Sequence, residues 1–216
     1  RVVAVAGTHG KTTTSAMRAT ILLGAGLDPS FIVGGVLAGL STNARAGKSK
    51  LFVIEADEYD RTFLSLAPEV AVITNVEHDH PDCYPTFQAF RRAFESFAAL
   101  VPERGLLSVC ADDPVAEQIG RKRNGSQAVR FFGLGEAAEW RAEEMRPNFA
   151  GGVDFLAMHA QETLGLVRLR VPGAHNVSNA MAALAVADYL YVPFRVAREA
   201  LADFRGVARR FEVKGV

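Results

Sequence analysis

Arg1-Val-Val-Ala-Val-Ala-Gly-Thr-His-Gly-Lys-Thr-Thr-Thr14 opens the chain, and its reading decides the fold. Val2 to Ala6 is a short apolar, β-branched run of the kind that forms a buried parallel strand. It stops at Gly7. Gly10-Lys11-Thr12 follows, and a helix-compatible stretch runs from Thr13 to about Leu23. Strand, glycine-containing turn and helix are the context that a phosphate-binding loop requires. Turn amides and a helix N-terminus favour an anion, so Gly7, Thr8, His9, Gly10 and Thr13 are candidate contacts for a triphosphate. Lys11 is suited to neutralising β/γ-phosphate charge, and the Thr12 hydroxyl to ligating Mg²⁺. The common loop pattern places a further glycine where this chain has Val5, so the match is a shorter G-x-x-G-K-T. The plain alternative is an ordinary strand-to-helix turn with Lys11 solvated at its rim.

The 216 residues are 49% hydrophobic and 22% charged, enough for one substantial core, and the formal net charge is +0. No basic excess points to nucleic acid, and the arginines are not interleaved with aromatics. Cys83 and Cys110 form no metal or disulfide framework, so a reducing cytoplasm is the expected setting. The apolar runs are interrupted by glycine or charge, which predicts neither signal peptide nor membrane span. The abrupt start inside a strand, without an initiator Met, suggests a fragment.

Outward from the first helix, Gly24, Gly26, Asp28 and Pro29 supply stop chemistry. Short strands are expected at Phe31 to Val33, Leu51 to Ile54, Val70 to Thr74, Gly105 to Cys110 and Ala128 to Phe132. Leu37 to Lys50 reads as a Gly/Ser/Asn-rich loop. Thr86 to Leu100 is an amphipathic helix with Phe87, Phe90, Phe94 and Phe97 on its core face. Asp113 to Gly120 is a short helix. Val153 to Ala160 and Leu164 to Val171 predict an antiparallel hairpin, followed by helices at Asn176 to Tyr191 and Phe194 to Phe204. Strands alternating with helices imply one α/β domain: a mostly parallel sheet covered on both faces, with a small antiparallel element.

Ligands bind beyond the carboxyl ends of strands in open α/β sheets. Three strand ends carry polar clusters: Gly7 to Thr12, Glu55 to Asp60 and Asn75 to Asp82. If the strands are parallel, all three lie on one edge. Glu55 can then reach a Mg²⁺ bridging phosphates, or simply pair with a neighbouring Lys or Arg. Glu58 and Asp60 read as a solvated acidic turn or a helix cap. His80 is a candidate second-metal ligand or phosphate contact, and His78 reads as loop. Asn75 could bond a phosphate, a water or the loop backbone. Asn176 is suited to reading an adenine edge, to capping the helix that follows, or to both. Arg209-Arg210 could reach a phosphate or be solvated.

Together these stretches resemble the Mur ligases, in the family's order: Ala6-Gly-Thr-His-Gly-Lys-Thr-Thr-Thr14, Glu55-Ala-Asp-Glu58, Thr74-Asn-Val-Glu-His-Asp-His80, Gly173-Ala-His-Asn-Val-Ser-Asn-Ala180 and Gly206-Val-Ala-Arg-Arg-Phe-Glu212. Gly34-Gly35-Val36, Ser41-Thr-Asn-Ala-Arg45 and the absence of Lys from Thr86 to Leu100 are similar to the branch that adds L-alanine to UDP-N-acetylmuramate. The murein-peptide recycling branch shares Glu55 to Asp60 and is the near alternative. A folylpolyglutamate-type ligase and a non-catalytic nucleotide-binding module are more distant ones.

The resemblance implies an ATP- and Mg²⁺-dependent amide ligase of peptidoglycan precursor synthesis. In such an enzyme ATP phosphorylates a carboxylate, and an amine attacks the acyl phosphate. It assigns Lys11 to the phosphates, Thr12 and Glu55 to one Mg²⁺, and His80 to the second. His175, Asn176 and Asn179 fall to adenine, Arg210 to phosphate, and Asn43 and Arg45 to the border of the UDP-sugar. It also implies that residues 1–216 are the central, ATP-binding domain. The UDP-sugar domain and the amino-acid domain of the family are then expected to be absent from the fragment, leaving it unable to ligate alone.

Overall fold

A computed structural model describes residues 1–123 and 128–208. Its first element, β1 (Val2–Ala6), is followed by helix α1 (Lys11–Gly24). β1 pairs in parallel with β4 (Phe52–Glu55) on one side and β5 (Pro68–Ile73) on the other. Its residues beyond Val2 are buried, as the unbroken apolar run predicts for a central parallel strand. β2 (Ser30–Leu37) lies outside β4, and β3 (Thr42–Arg45) forms that edge, antiparallel to β2. On the other side run β6 (Leu106–Cys110), β7 (Ala128–Gly133) and β8 (Trp140–Pro147), all parallel. β9 (Val153–His159) and β10 (Glu162–Arg168) close the sheet antiparallel. The described residues thus make a ten-stranded sheet in the order β10-β9-β8-β7-β6-β5-β1-β4-β2-β3.

Two apolar cores sit on its two faces. One lies under α1, α4 (Ala174–Tyr189) and α5 (Phe194–Ala202). The other lies under α2 (Phe87–Ala99) and α3 (Pro114–Arg121). The aromatic stripe of α2 is core, as its spacing predicts: Phe94 and Phe97 pack on Phe63, with ring centroids 5.3 and 4.9 Å away. Thr86 caps α2, its side chain accepting from the Ala89 amide. α4 is buried on nearly every side, and its alanines let it lie close to α1 and the sheet.

Several expectations are corrected. β2 does not stop at Val33 but runs through Gly34-Gly35 to Leu37. These glycines mark close approach rather than a break. A Cβ on Gly34 would meet Glu55 Oε2 at 2.6 Å, and one on Gly35 would meet Val207 Cγ1 at 2.4 Å. The loop expected at Leu37 to Lys50 contains β3, a short polar edge strand without apolar alternation. β8 went unpredicted because its outer half is charged and exposed. Among the described residues no helix is long and apolar enough to cross a membrane.

Candidate active site

β1, β4 and β5 are parallel, so their carboxyl ends meet on one edge, at the point where neighbours of β1 diverge to either side. Gly7 leaves β1 at φ 136°, where an added Cβ would lie 2.0 Å from Thr74 Oγ1. Gly10, at φ 84°, is the N-cap of α1, and the helix starts at Lys11 rather than Thr13. A Cβ on Gly10 would lie 2.7 Å from Asn179 Oδ1. Both glycines are therefore required by backbone and by space.

β5's end braces the loop. The Thr74 hydroxyl donates to the His9 carbonyl at 2.6 Å, and the His9 amide donates to Asn75 Oδ1 at 2.8 Å. Of the partners open to Asn75, the structure shows the loop backbone. Thr8 Oγ1 exchanges hydrogen bonds with the Glu77 carbonyl and amide, at 2.8 and 3.0 Å. The exposed His9 ring lies 3.7 Å from the Glu77 carboxylate, and Thr13 is half-buried on α1.

Thr12 Oγ1 donates to Glu55 Oε1 at 3.0 Å, while Glu55 Oε2 accepts from the Gly34 amide at 2.7 Å. A hydroxyl and a carboxylate oxygen so placed are the hard donors that Mg²⁺ takes alongside phosphate oxygens. The Lys or Arg considered as a partner for Glu55 is not what binds it here. Lys11 Nζ instead donates to both Glu58 oxygens, at 2.9 and 2.8 Å, and to the Gly7 carbonyl at 2.7 Å. Glu58 is thus not solvated, its side chain being 1% exposed, and although it stands at the N-cap position of the short helix Tyr59–Ser65 its side chain makes no capping hydrogen bond. His80 Nε2 lies 3.8 Å from Glu58 Oε1, and its ring stands edge-on to Tyr59 at 5.1 Å. Ligand atoms of Asp57, Glu58 and His80 all lie within 4.8 Å of one another, a second oxygen-and-imidazole set that fits a divalent cation. His78 bonds the Tyr84 carbonyl through Nε2 at 2.9 Å, a loop-fastening role.

Beside the loop between β1 and α1, a cleft of about 330 Å³ runs between the ends of β5 and β6 and the start of α4. His9, Asn75, Asp112, Asp113, His175 and Asn179 are among its walls. α4 begins at Ala174, so His175 and Asn176 lie inside it, and Gly173 rather than Asn176 is its N-cap. Asn176 is 2% exposed and donates to the Pro172 carbonyl at 2.7 Å. Asn179 accepts from Thr14 Oγ1 at 3.0 Å, tying α4 to α1 under the loop. Asn43 is exposed on β3. Arg45 pairs with Asp28 at 2.6 Å, opposite Phe31 near the start of β2 and away from the strand ends of the site. Lys48's amide and the Arg45 guanidinium hold the Asp28 carboxyl below its ordinary range. Arg210 lies outside the described residues. In the stretch before it, Ala208's amide donates to the Val36 carbonyl of β2 at 2.8 Å.

The Mur ligase middle domain family matches residues 5–187. The chain belongs to the Mur ligase family. Two UDP-N-acetylmuramate–L-alanine ligases are similar to it. That of Sorangium cellulosum is 45% identical over 99% of this chain and 45% of its own length. That of Acidothermus cellulolyticus is 46% identical over 100% of this chain and 45% of its own length. The chain spans about half the length of the curated relatives it matches. Among solved structures, the UDP-N-acetylmuramate:L-alanyl-γ-D-glutamyl-meso-diaminopimelate ligase of Neisseria meningitides superposes with a TM-score of 0.85. It is 35% identical, with 96% of this chain and 67% of that one covered. The UDP-N-acetylmuramate-alanine ligase of Thermotoga maritima also gives 0.85, at 29% identity over 100% of this chain and 47% of that one.

Set in this Mur ligase domain, two groups escaped the sequence reading. Glu58 reads only as an acidic turn or cap, and nothing local in the sequence pairs it with Lys11. Asp112 and Asp113 follow β6 as Glu55 ends β4, so the same strand-end rule could have found them. Asp113 caps α3, accepting from the Val115 and Ala116 amides, and Asp112 accepts from the Leu134 and Gly135 amides.

Proposed function

We propose that this chain is the nucleotide-handling, central domain of an ATP-dependent ligase that joins L-alanine to UDP-N-acetylmuramate. One observation carries the reading: the Lys11 ammonium, the Thr12–Glu55 oxygens and the Asp57–Glu58–His80 set converge at the ends of β1, β4 and β5. The named relatives at 45% and 46% identity supply the reaction. In it, a carboxylate oxygen of the sugar attacks the γ-phosphorus, ADP leaves, and the alanine amine then displaces phosphate from the acyl phosphate. Little covalent work falls to the protein, so positioning and charge neutralisation dominate.

Lys11 contacts the β/γ-phosphates, and the amides of Gly10 to Thr13, at the start of α1, cradle them. Thr12 and Glu55 hold one Mg²⁺, and His80 with its acidic neighbours holds a second. When bound, these cations neutralise charge on the transferring phosphoryl group. His175 and Asn179 face the nucleotide base across the cleft. Asn176 is enclosed behind them and holds the start of α4. Arg210 contacts phosphate, and Asn43 borders the sugar nucleotide. The UDP-sugar and the amino acid are held by flanking domains of a whole ligase.

Calorimetry on the 216-residue chain with Mg²⁺ and a non-hydrolysable ATP analogue tests the core of this. Binding should be Mg²⁺-dependent, and Lys11→Ala should weaken it at least about tenfold, roughly 1.4 kcal/mol. Unchanged affinity would remove the assignment. A second reading, ligation of a recycled murein peptide, is favoured by the 35% identity to the Neisseria enzyme. Offering a whole ligase that contains this domain L-alanine or L-alanyl-γ-D-glutamyl-meso-diaminopimelate, and weighing the product by mass spectrometry, separates the two.

A further inference from the structure

Glu58 is placed unlike any other carboxylate in the site. Its side chain is 1% exposed, and both oxygens are engaged by Lys11 Nζ, at 2.9 and 2.8 Å. The backbone around it is held: the Tyr84 hydroxyl donates to the Glu58 carbonyl, and Asp60 and Arg61 follow at φ 49° and 57°. Lys11 is the group that a triphosphate on this loop must recruit. Turning the ammonium toward phosphate strips Glu58 of its counter-charge in an enclosed place, and an uncompensated buried charge is strongly destabilising. A replacement cation therefore has to arrive. The donors for one are at hand, since His80 Nε2 is 3.8 Å from Glu58 Oε1 and Asp57 completes a set within 4.8 Å. Oxygen ligands of one Mg²⁺, each roughly 2.1 Å from it, stand at most about 4 Å apart, so the set needs only slight tightening.

We infer that Glu58 is a relay anion: it holds Lys11 until phosphate takes the lysine, and then takes a divalent cation together with His80 and Asp57. This rests on the reading of Lys11 as a phosphate contact. Ammonium and metal compete for the same two oxygens, so Lys11 keeps the cation out until nucleotide draws the lysine away. Glu58 then couples the two bindings. Nucleotide raises cation affinity, and by reciprocity the cation raises nucleotide affinity. Charge at the centre is never left unbalanced as the reactants assemble.

Mn²⁺ binding to the 216-residue chain, read by electron paramagnetic resonance without turnover, tests this. Without nucleotide, Lys11→Met should bind Mn²⁺ at least about tenfold more tightly than wild type, because Glu58 is released. Adding Glu58→Gln to Lys11→Met should abolish that gain. No gain in Lys11→Met, or a gain that survives Glu58→Gln, overturns the relay. If Lys11→Met does not fold, Glu58→Gln alone decides. In wild type the ATP analogue should raise Mn²⁺ affinity, and in Glu58→Gln that rise should shrink at least about tenfold. An undiminished rise overturns the relay. Calorimetry of wild type with the analogue separates the two levels. A chain that binds the analogue but fails the Mn²⁺ tests loses only the relay, whereas one that binds no analogue loses the phosphate-site reading and the relay with it.

Discussion

Arg18 shows how a single residue can oppose the fold that contains it. It lies on α1, two turns beyond Lys11, and is 1% exposed. Its Nη2 donates to the Ala182 carbonyl at 3.2 Å, while Nε and Nη1 have no hydrogen-bond partner. Burial pushes its pKa down to about 9. The unfolded chain keeps the ordinary, higher arginine value, so above about pH 9 the unfolded state holds more protons and stability rises with pH. Below about pH 9 the cost is fully present. Arg18→Met should therefore leave stability unchanged or raise it by up to about 4 kcal/mol at neutral pH, read as a higher urea midpoint. Gly7 makes the opposite case. Gly7→Ala forces a Cβ against Thr74 Oγ1 at a φ of 136° and should cost at least about 1–3 kcal/mol, seen as a lowered melting temperature.

At the scale of elements, helix starts carry both stability and site geometry. α3 begins at Pro114 behind Asp113, which accepts two α3 amides and the Val76 amide beyond β5. Asp113→Ala should cost about 1–2 kcal/mol. It should also loosen the end of β5, where Asn75 grips the His9 amide. The check is paired: a denaturant midpoint for the cap, and analogue affinity for the loop. Asp113→Asn keeps the capping geometry and should recover most of the midpoint.

For the whole molecule, the sheet order explains why a distributed site forms at all. β1 sits between β4 and β5, so carboxyl ends separated by some fifty and seventy residues of chain come together. α4 enters from near the end of the chain, and Thr14–Asn179 locks it to α1. A ligand that touches all these parts binds only the folded state. Saturating Mg²⁺ and ATP analogue, at about 100 times the dissociation constant, should stabilise the chain by about 2.7 kcal/mol. The melting temperature should rise accordingly in wild type. The rise should be largely lost in Lys11→Ala, and reduced when EDTA removes the divalent cation.

The sequence alone carried the class of fold, the central strand, the glycine-containing loop before α1 and the three polar strand ends, because these rest on local patterns. Apolar runs mark buried parallel strands, glycines mark the loop, and the strand-end rule collects Lys11, Thr12, Glu55 and His80. Tertiary structure decided what lies far apart along the chain. Glu58 and Lys11 are 47 residues apart, and only the β1–β4 register brings them to 2.8 Å and buries the carboxylate. Gly34 and Gly35 read as a break, but the Glu55 and Val207 side chains packed against them keep that strand going. Arg45 reads as part of a loop until β3 pairs beside Phe31 and sets it on Asp28. Asn176 reads as an adenine contact, a cap or both until α4 starts earlier, at Ala174, and encloses it. Local sequence specifies which groups are polar and where chain direction changes. Which charge meets which is a property of sheet register and burial, and no window along the chain contains it.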